Sequence, residues 1–290
     1  MQLVIISGKG GTGKTTIVSS FAYLAGKEAI KVDCDVDASN LHLMFEGTDI
    51  KETDFFGSKK ALIDPDACIN CGKCHQVCRF DAIIQKDTYH AVNEIRCEGC
   101  GACQVVCPVD AVRLEDEHSG KMILTELADG SKLSRAELFP GADGSGKLVS
   151  EIRKVADSMN MFKNDLILID GSPGVGCSVM ASITGVDYAL IVTEPTQSGF
   201  EDFIRAYELT SHFKIKSFIA INKYDLNLEM SEEIETYCED QGIKVLGKIP
   251  YDSTVNKSNF ESKPLVLYNE SIAGQEIIGL WHRISEEMEE

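Results

Sequence analysis

The chain has 290 residues, with 46 acidic against 28 basic side chains and a formal charge of −18. Its 43% hydrophobic and 26% charged residues are those of a globular chain, enough for one large or two ordinary domains. No apolar run approaches the ~18 residues of a membrane span, and no basic face for nucleic-acid phosphates is visible, so neither a membrane nor a nucleic acid is expected as a partner.

At the N-terminus, Met1-Gln2-Leu3 has no basic flank and the apolar run is too short for a leader, which makes the cytoplasm the expected compartment. Residues 2 to 7 read as a buried strand and Lys14 to Lys27 as a helix. The loop between them fits two glycine-rich patterns. Gly8 to Gly13 spells the dinucleotide fingerprint, while Gly8, Lys9, Gly10, Gly11, Thr12, Gly13, Lys14 and Thr15 spell a P-loop. Lys14 and Thr15 decide for the P-loop, which needs an ammonium on the β/γ-phosphates and a hydroxyl on Mg²⁺. The dinucleotide loop needs neither. Gly8 to Thr16 are therefore the expected phosphate-binding residues, at the N-terminus of a helix.

A second strand ends at Val32-Asp33, and strand-length apolar runs follow at Leu166–Asp170, Ala189–Thr193, Phe218–Asn222 and Val245–Ile249. Between them lie amphipathic stretches at Phe200–Phe213 and Ser231–Gln241, the second with Ser231 as expected N-cap and Gly242 after its end. The alternation predicts an α/β fold with a parallel sheet. Residues 128 to 147 read as loop, because Gly130, Pro140, Gly141, Gly144 and Gly146 follow closely. Gly141 to Lys147 also imitates a P-loop, but Leu148 stands where the hydroxyl belongs, and the stretch reads as a polar loop before a helix at Lys147–Met159.

Residues 62 to 118 break the rhythm. Cys68, Cys71, Cys74 and Cys78 recur as Cys97, Cys100, Cys103 and Cys107, each 29 positions later. Asp81-Ala82-Ile83 is echoed by Asp110-Ala111-Val112. Two C-x₂-C-x₂-C-x₃-C runs form the bacterial ferredoxin pattern for two [4Fe–4S] clusters, in which the fourth cysteine of each run serves the other cluster. The expected ligand sets are Cys68, Cys71, Cys74 and Cys107 for one cluster, and Cys97, Cys100, Cys103 and Cys78 for the other. Zinc is the competing metal for paired C-x-x-C. Arg79 replaces the proline expected after Cys78, placing a donor near one cluster. The expected division is residues 1–60 and 119–290 for a P-loop domain, with residues 61–118 as an inserted ferredoxin-type domain.

A loop that only cradles phosphate does not require Lys9, which lies inside it. Lys9-Gly10-Gly11-Thr12-Gly13-Lys14-Thr15 resembles the deviant P-loop of the MinD/ParA family, which includes the nitrogenase iron protein and Mrp-type iron–sulfur carriers. The resemblance implies an ATPase whose Lys9 reaches the nucleotide of a partner subunit, either a second copy or a related ATPase. Asp33-Cys34-Asp35-Val36-Asp37-Ala38-Ser39-Asn40 resembles switch I, which gives Asp35 the attacking water and Asn40 the ribose or partner side, with Asp37 as a second candidate. Asp170-Gly171-Ser172-Pro173-Gly174 resembles switch II, with Asp170 holding Mg²⁺ through water and Thr15 holding it directly. Asn222 and Pro250 fall where the family reads the base. Asn222-Lys223-Tyr224-Asp225 also spells the guanine signature N-K-x-D, against which the family resemblance favours ATP. Cys177, after switch II, resembles a bridging-cluster ligand whose second ligand has no evident counterpart.

Three functions follow from the combination. One is ATP binding and hydrolysis, releasing ADP, that gates electron transfer or metallocofactor assembly toward a redox or metalloenzyme partner. Another is an Mrp-type iron–sulfur scaffold or carrier, whose C-terminal C-x-x-C is missing here, where only Cys238 is present. A positioning ATPase is third, disfavoured because the apolar Ile277–Trp281 stretch leads into an acidic tail that anionic surfaces repel.

Overall fold

Leu3, Val4, Ile5 and Ile6 are all fully buried, as a strand covered on both faces requires. They form β1 (Gln2–Ser7) in a computed structural model that describes residues 1–142, 146–160 and 166–289. The other strands are β2 (Ala29–Asp33), β3 (Gly47–Ile63), β4 (Ile83–Gln85), β5 (His90–Val92), β6 (Val112–Leu127), β7 (Lys132–Leu138), β8 (Leu166–Pro173), β9 (Tyr188–Thr193), β10 (Lys216–Asn222) and β11 (Lys244–Ile249). The helices are α1 (Lys14–Ala25), α2 (Lys73–Val77), α3 (Ala102–Val105), α4 (Gly146–Met159), α5 (Cys177–Ile183), α6 (Gln197–His212), α7 (Leu228–Gln241), α8 (Thr254–Glu261) and α9 (Ile272–Glu289).

Nine strands make one sheet in the order β11-β10-β9-β1-β8-β2-β7-β6-β3. From β11 to β7 every neighbouring pair runs parallel. The register sets Asp33 of β2 beside Asp170 of β8, so the two acids end adjacent strands together. Alternation along β1 sends Leu3 and Ile5 into a core with Ile17 and Phe21 of α1 and Ile277 and Leu280 of α9. On the other side α5 and α6 contact β1. The apolar C-terminal stretch is thus packed inside the fold. Trp281 sits with its ring centre 5.0 Å from that of Phe21.

The chain divides into two compact units. One comprises Met1–Thr53, Met122–Glu137 and Gly144–Glu290 and holds the parallel strands; the other comprises Asp54–Lys121 and Leu138–Asp143. In the second unit β4 and β5 form an antiparallel pair, and a small core gathers Ala61, Cys74, Ala82, Ile83, Cys97, Cys103 and Val112.

Three local expectations are corrected. Lys132–Leu138, within the stretch read as loop, is a strand pairing β2 through Lys31–Leu133 and Val32–Ser134, with Leu133 and Ala136 fully buried. Its burial comes from partners distant in sequence, which glycine spacing does not report. Helix α7 begins earlier than Ser231: Asn227 is the N-cap, its side-chain oxygen accepting from the Met230 N–H at 3.1 Å. Ser231 is instead buried, and its hydroxyl donates to the Tyr224 carbonyl at 2.8 Å. Gly57 and Gly120, polar glycine-containing positions that flank the cysteine module in sequence and read as its edges, lie inside β3 and β6. In the P-loop-like stretch Gly141–Lys147, residues 143–145 lie outside the described residues.

Phe21 is fully buried beneath the chain's single tryptophan. Phe21→Ala is expected to cost about 3–5 kcal/mol, read as a lower denaturation midpoint of Trp281 fluorescence at unchanged m-value. An unchanged midpoint would show that this contact does not support the first unit.

Candidate functional site

The first unit contains a cavity of about 420 Å³ at the carboxyl ends of the parallel strands, the usual ligand position in such sheets. It is lined by Ser7, by Gly10 to Ile17, by Asp35 and Pro173, and by Asn222, Lys223 and Ile249 to Asp252. The structure thus brings Gly10, Gly11, Thr12, Gly13, Lys14, Thr15, Thr16, Asp35, Asn222 and Pro250 around one space. Gly8 lies just behind it: a side chain there would run into the Asp202 backbone at 2.3 Å. Gly13 has φ of +91°, and a Cβ on it would meet Asn222 Nδ2 at 2.3 Å. Only glycine fits that position, because Asn222 reaches past it to donate to the Thr12 carbonyl at 2.7 Å.

No side chain caps the start of α1. The buried Thr12 hydroxyl, which lines the cavity, has no hydrogen-bond partner among the described residues. Free N–H groups, an unpaired hydroxyl and a lysine at a helix N-terminus are the donor set that phosphate requires.

Lys14 is almost wholly buried, and its ammonium is bonded to Asp170 and lies 3.7 Å from Asp35. Burial works against its charge, but Asp170, Asp35 and Asp33 outweigh that and raise its pKa. Asp33 accepts from the Asp35 N–H (3.1 Å), the Ser39 hydroxyl (2.8 Å) and the Leu41 N–H (3.1 Å), which fixes the 33–41 segment. Burial first and then the facing Asp170 push its carboxyl upward. Asp35 lines the cavity, whereas Asp37 is exposed and does not. Asp170 is 1% exposed and committed to Lys14.

Two expected residues stand apart from the main cavity. Asn40 is exposed and lines an adjoining cleft with Thr15, Thr16, Leu43, Met44, Asn259 and Ser262. Lys9 is turned onto its own chain, with Nζ 2.8 Å from Glu194 Oε1, 2.8 Å from Ser198 Oγ and 3.2 Å from Thr196 Oγ1. Glu194 was not singled out from sequence, though it follows the carboxyl end of β9. Its other oxygen takes Lys223 at 3.0 Å, and Lys223 also donates to the Gly11 carbonyl at 3.1 Å. Burial would raise Glu194, but the hydrogen bonds from Lys9 and Lys223 hold its carboxyl below the usual range. Asp225 does not line the cavity. Its carboxylate accepts from the Tyr251 N–H at 2.7 Å.

The second unit has two further cavities. One is lined by Cys68, Cys71, Cys74 and Cys107, the other by Cys97, Cys100, Cys103 and Cys78. Backbone N–H groups point at the sulfurs: Ala82 to Cys78 (3.4 Å), Ala111 to Cys107 (3.2 Å), and Ala61 to Cys97 (3.4 Å). The backbone repeats with the sequence, since Gly72 and Gly101 have φ of 75° and 77° and Asp81 and Asp110 have 50° and 52°. Among the described residues, no three His, Cys, Asp or Glu converge on a point that suits a single metal ion. Arg79 is exposed and lines neither cavity, and His75 is exposed. Of the other cysteines, Cys34 and Cys238 are buried and Cys177 is exposed.

Comparison with known proteins supplies the family. The chain belongs to the CobQ/CobB/MinD/ParA nucleotide binding domain family, whose profile matches residues 3–265. An uncharacterized protein of Methanocaldococcus jannaschii is 38% identical over 99% of this chain and 97% of its own length. The iron-sulfur cluster carrier protein of Pyrococcus abyssi is 24% identical over 50% of this chain and 54% of its own. In fold, the septum site-determining protein MinD of Pyrococcus horikoshii, solved with Mg-ADP, superposes with a TM-score of 0.59 at 20% identity, over 99% of this chain and 96% of that one. Among the described residues no helix is long and apolar enough to cross a membrane.

Asp252 buttresses the wall of the main cavity, accepting from the Ser271 hydroxyl (2.6 Å) and from the Thr254 (2.8 Å) and Ala273 (3.2 Å) N–H groups. Partial burial would raise its carboxyl, but these bonds outweigh that and bring it down to about 2. The folded chain thus holds this proton less tightly than the unfolded one, so the stabilisation is present above ~pH 4 and is lost as pH falls through about 2. Asp252→Asn is expected to lower stability by ~1 kcal/mol at neutral pH, discounted for solvent exposure. The gap to the parent should close between ~pH 4 and ~pH 2. A gap that stays constant in denaturation series down to that pH would show that the charge contributes nothing.

Proposed function

We propose that this member of the family is a nucleotide-driven iron–sulfur protein, in which ATP binding and hydrolysis gate electron transfer or metallocofactor assembly through two [4Fe–4S] clusters. The observation that carries the reading is the composition of the two small cavities. Each gathers three cysteines from one run and the fourth from the other. Four thiolates and inward N–H donors suit a cubane, whose ligands stand around a cluster rather than around one ion. Cys68, Cys71, Cys74 and Cys107 would hold one cluster, and Cys97, Cys100, Cys103 and Cys78 the other; such clusters supply one-electron transfer when bound.

In the first unit, the loop from Gly8 to Thr16 would bind the phosphates, with the Lys14 ammonium moving from Asp170 to the β/γ-phosphates. Thr15, and Asp170 through water, would hold Mg²⁺, which neutralises phosphate charge. Asp35 is the residue we assign to orienting the attacking water, and Asn222 and Pro250 to the base. ATP is favoured over GTP because the Asp225 carboxylate that guanine would need is engaged by Tyr251. Lys9 would leave Glu194 to reach the nucleotide of a partner subunit, giving a homodimer or a heterodimer with a related ATPase. Asn40, outside the main cavity, would face the ribose or that partner. A cytoplasmic redox or metalloenzyme partner completes the proposal.

The partial likeness to an iron-sulfur cluster carrier supports a second reading, a scaffold that hands clusters on. Against it, Cys238 is fully buried and so is not available to a shared cluster. Transfer of iron from the purified protein to an apo-ferredoxin would favour the carrier.

Anaerobically prepared protein is expected to contain about eight iron atoms per chain. Cys107→Ser should perturb the spectrum of the cluster held by Cys68, Cys71 and Cys74. Stoichiometric zinc without broad visible absorption would remove the cluster reading.

ATP is expected to shift the protein toward a two-fold assembly in sedimentation experiments, and Lys9→Ala should abolish the shift without altering the monomer's melting. Nucleotide-dependent assembly of the variant equal to the parent's would assign Lys9 to its own chain alone.

A further inference from the structure

The internal duplication makes the two cysteine cavities comparable position by position. Residues lining one have counterparts 29 positions away that line the other: Cys107 and Cys78, Ala111 and Ala82, Val112 and Ile83. Three matched positions differ in polarity. His90 lines the Cys68 cavity where Ala61 lines the Cys97 cavity. Lys73 stands opposite Ala102, and Ile69 opposite Glu98.

His90 is the decisive difference. It is 3% exposed, and its Nδ1 has no hydrogen-bond partner among the described residues. Leaving a buried ring nitrogen unpaired forfeits its hydration unless something in the cavity completes it. Apart from Lys73, itself a donor, the cavity is lined by four cysteine sulfurs and apolar residues, none of which pairs with this nitrogen, so the acceptor that would complete it is a sulfur of a bound cluster. The counterpart Ala61 carries a methyl group in place of the ring; on that side the donors to sulfur are backbone groups, the Ala61 and Gly99 N–H reaching Cys97 Sγ at 3.4 and 3.5 Å. Lys73 and Glu98 are exposed and therefore screened, yet both act in the same direction: positive charge beside the first cavity, negative charge beside the second. Hydrogen bonds to cluster sulfurs and local charge are the protein's levers on cluster potential.

We propose that His90 acts as a positioning and tuning residue that makes the Cys68–Cys71–Cys74–Cys107 cluster the more easily reduced of the two. Two sites with the same four-thiolate ligands then have ordered potentials, and the module's first electron resides at the end that carries His90. The inference rests on the two-cluster reading and goes beyond it by ranking the clusters.

The experiment begins with an iron assay, which fails the two-cluster reading separately if iron is absent. Protein shown to hold about eight irons is then titrated with dithionite at fixed pH, and both clusters are followed by electron paramagnetic resonance. Two resolved one-electron waves are expected, with an electron-exchange constant of at least tenfold, equivalent to ~59 mV. His90→Ala should bring the upper wave down by a similar amount and leave the lower wave in place, and His90→Gln, which keeps an N–H donor, should fall between. Should His90→Ala not take up iron, Glu98→Gln tests the other cavity: it should raise the lower wave alone. Coincident waves in the parent would overturn the proposal. So would a His90→Ala variant that moves neither wave, both equally, or only the lower one, or a Glu98→Gln variant that moves the upper wave.

Discussion

The buried ammonium of Lys14 organises the candidate site of the first unit. Lys14 sits at the N-terminus of α1 with almost no solvent, and a charge in that position must be paired. Asp170 pairs it directly, while Asp35 and Asp33 add their fields. Two of these acids lie side by side because β2 and β8 are adjacent in register. Asp33 in turn anchors the 33–41 segment through three hydrogen bonds, so the ammonium, the end of β8 and the first switch-like segment form one electrostatic unit. Nucleotide phosphates would compete for the same ammonium. In the proposed cycle, that competition is what frees Asp170 and transmits the presence of ATP to both segments.

Lys9 illustrates the same logic at a more solvated place. It is paired with Glu194, which it shares with Lys223, and Lys223 ties back to the loop through Gly11. The Lys9 side chain is about a quarter exposed, and a pair of that kind is worth ~1 kcal/mol or less. A polyphosphate carrying several charges would outcompete it. The contact thus stores Lys9 close to the loop without holding it there strongly.

In the second unit the duplication keeps some features and varies others. The repeat preserves what the proposed clusters would demand: the cysteine spacing, the left-handed backbone at Gly72 and Gly101, and the N–H groups of Ala82 and Ala111 aimed at sulfur. Positions that only face the cavity were free to diverge. At 61 and 90 they did, into a methyl group and an imidazole.

The phosphate loop, the two cysteine runs and most of the parallel strands were legible in the sequence because each depends on residues close together in the chain. Lys14 and Thr15 are adjacent, each C-x₂-C-x₂-C-x₃-C run spans eleven residues, and a strand buried on both faces is an unbroken apolar run like Leu3–Ile6. Whatever depended on a distant partner was not legible. The strand at Lys132–Leu138 is buried by β2, about a hundred residues earlier, and its own pattern is mixed. The separation of Asp35 from Asp37, the engagement of Asp225 by Tyr251 and the turning of Lys9 onto Glu194 are all decided where strand ends meet. Sequence alone therefore determined which chemical groups the protein carries. The tertiary structure decided which of them face one another, because side-chain pairing is set by sheet order and register, and the interactions that choose both are non-local.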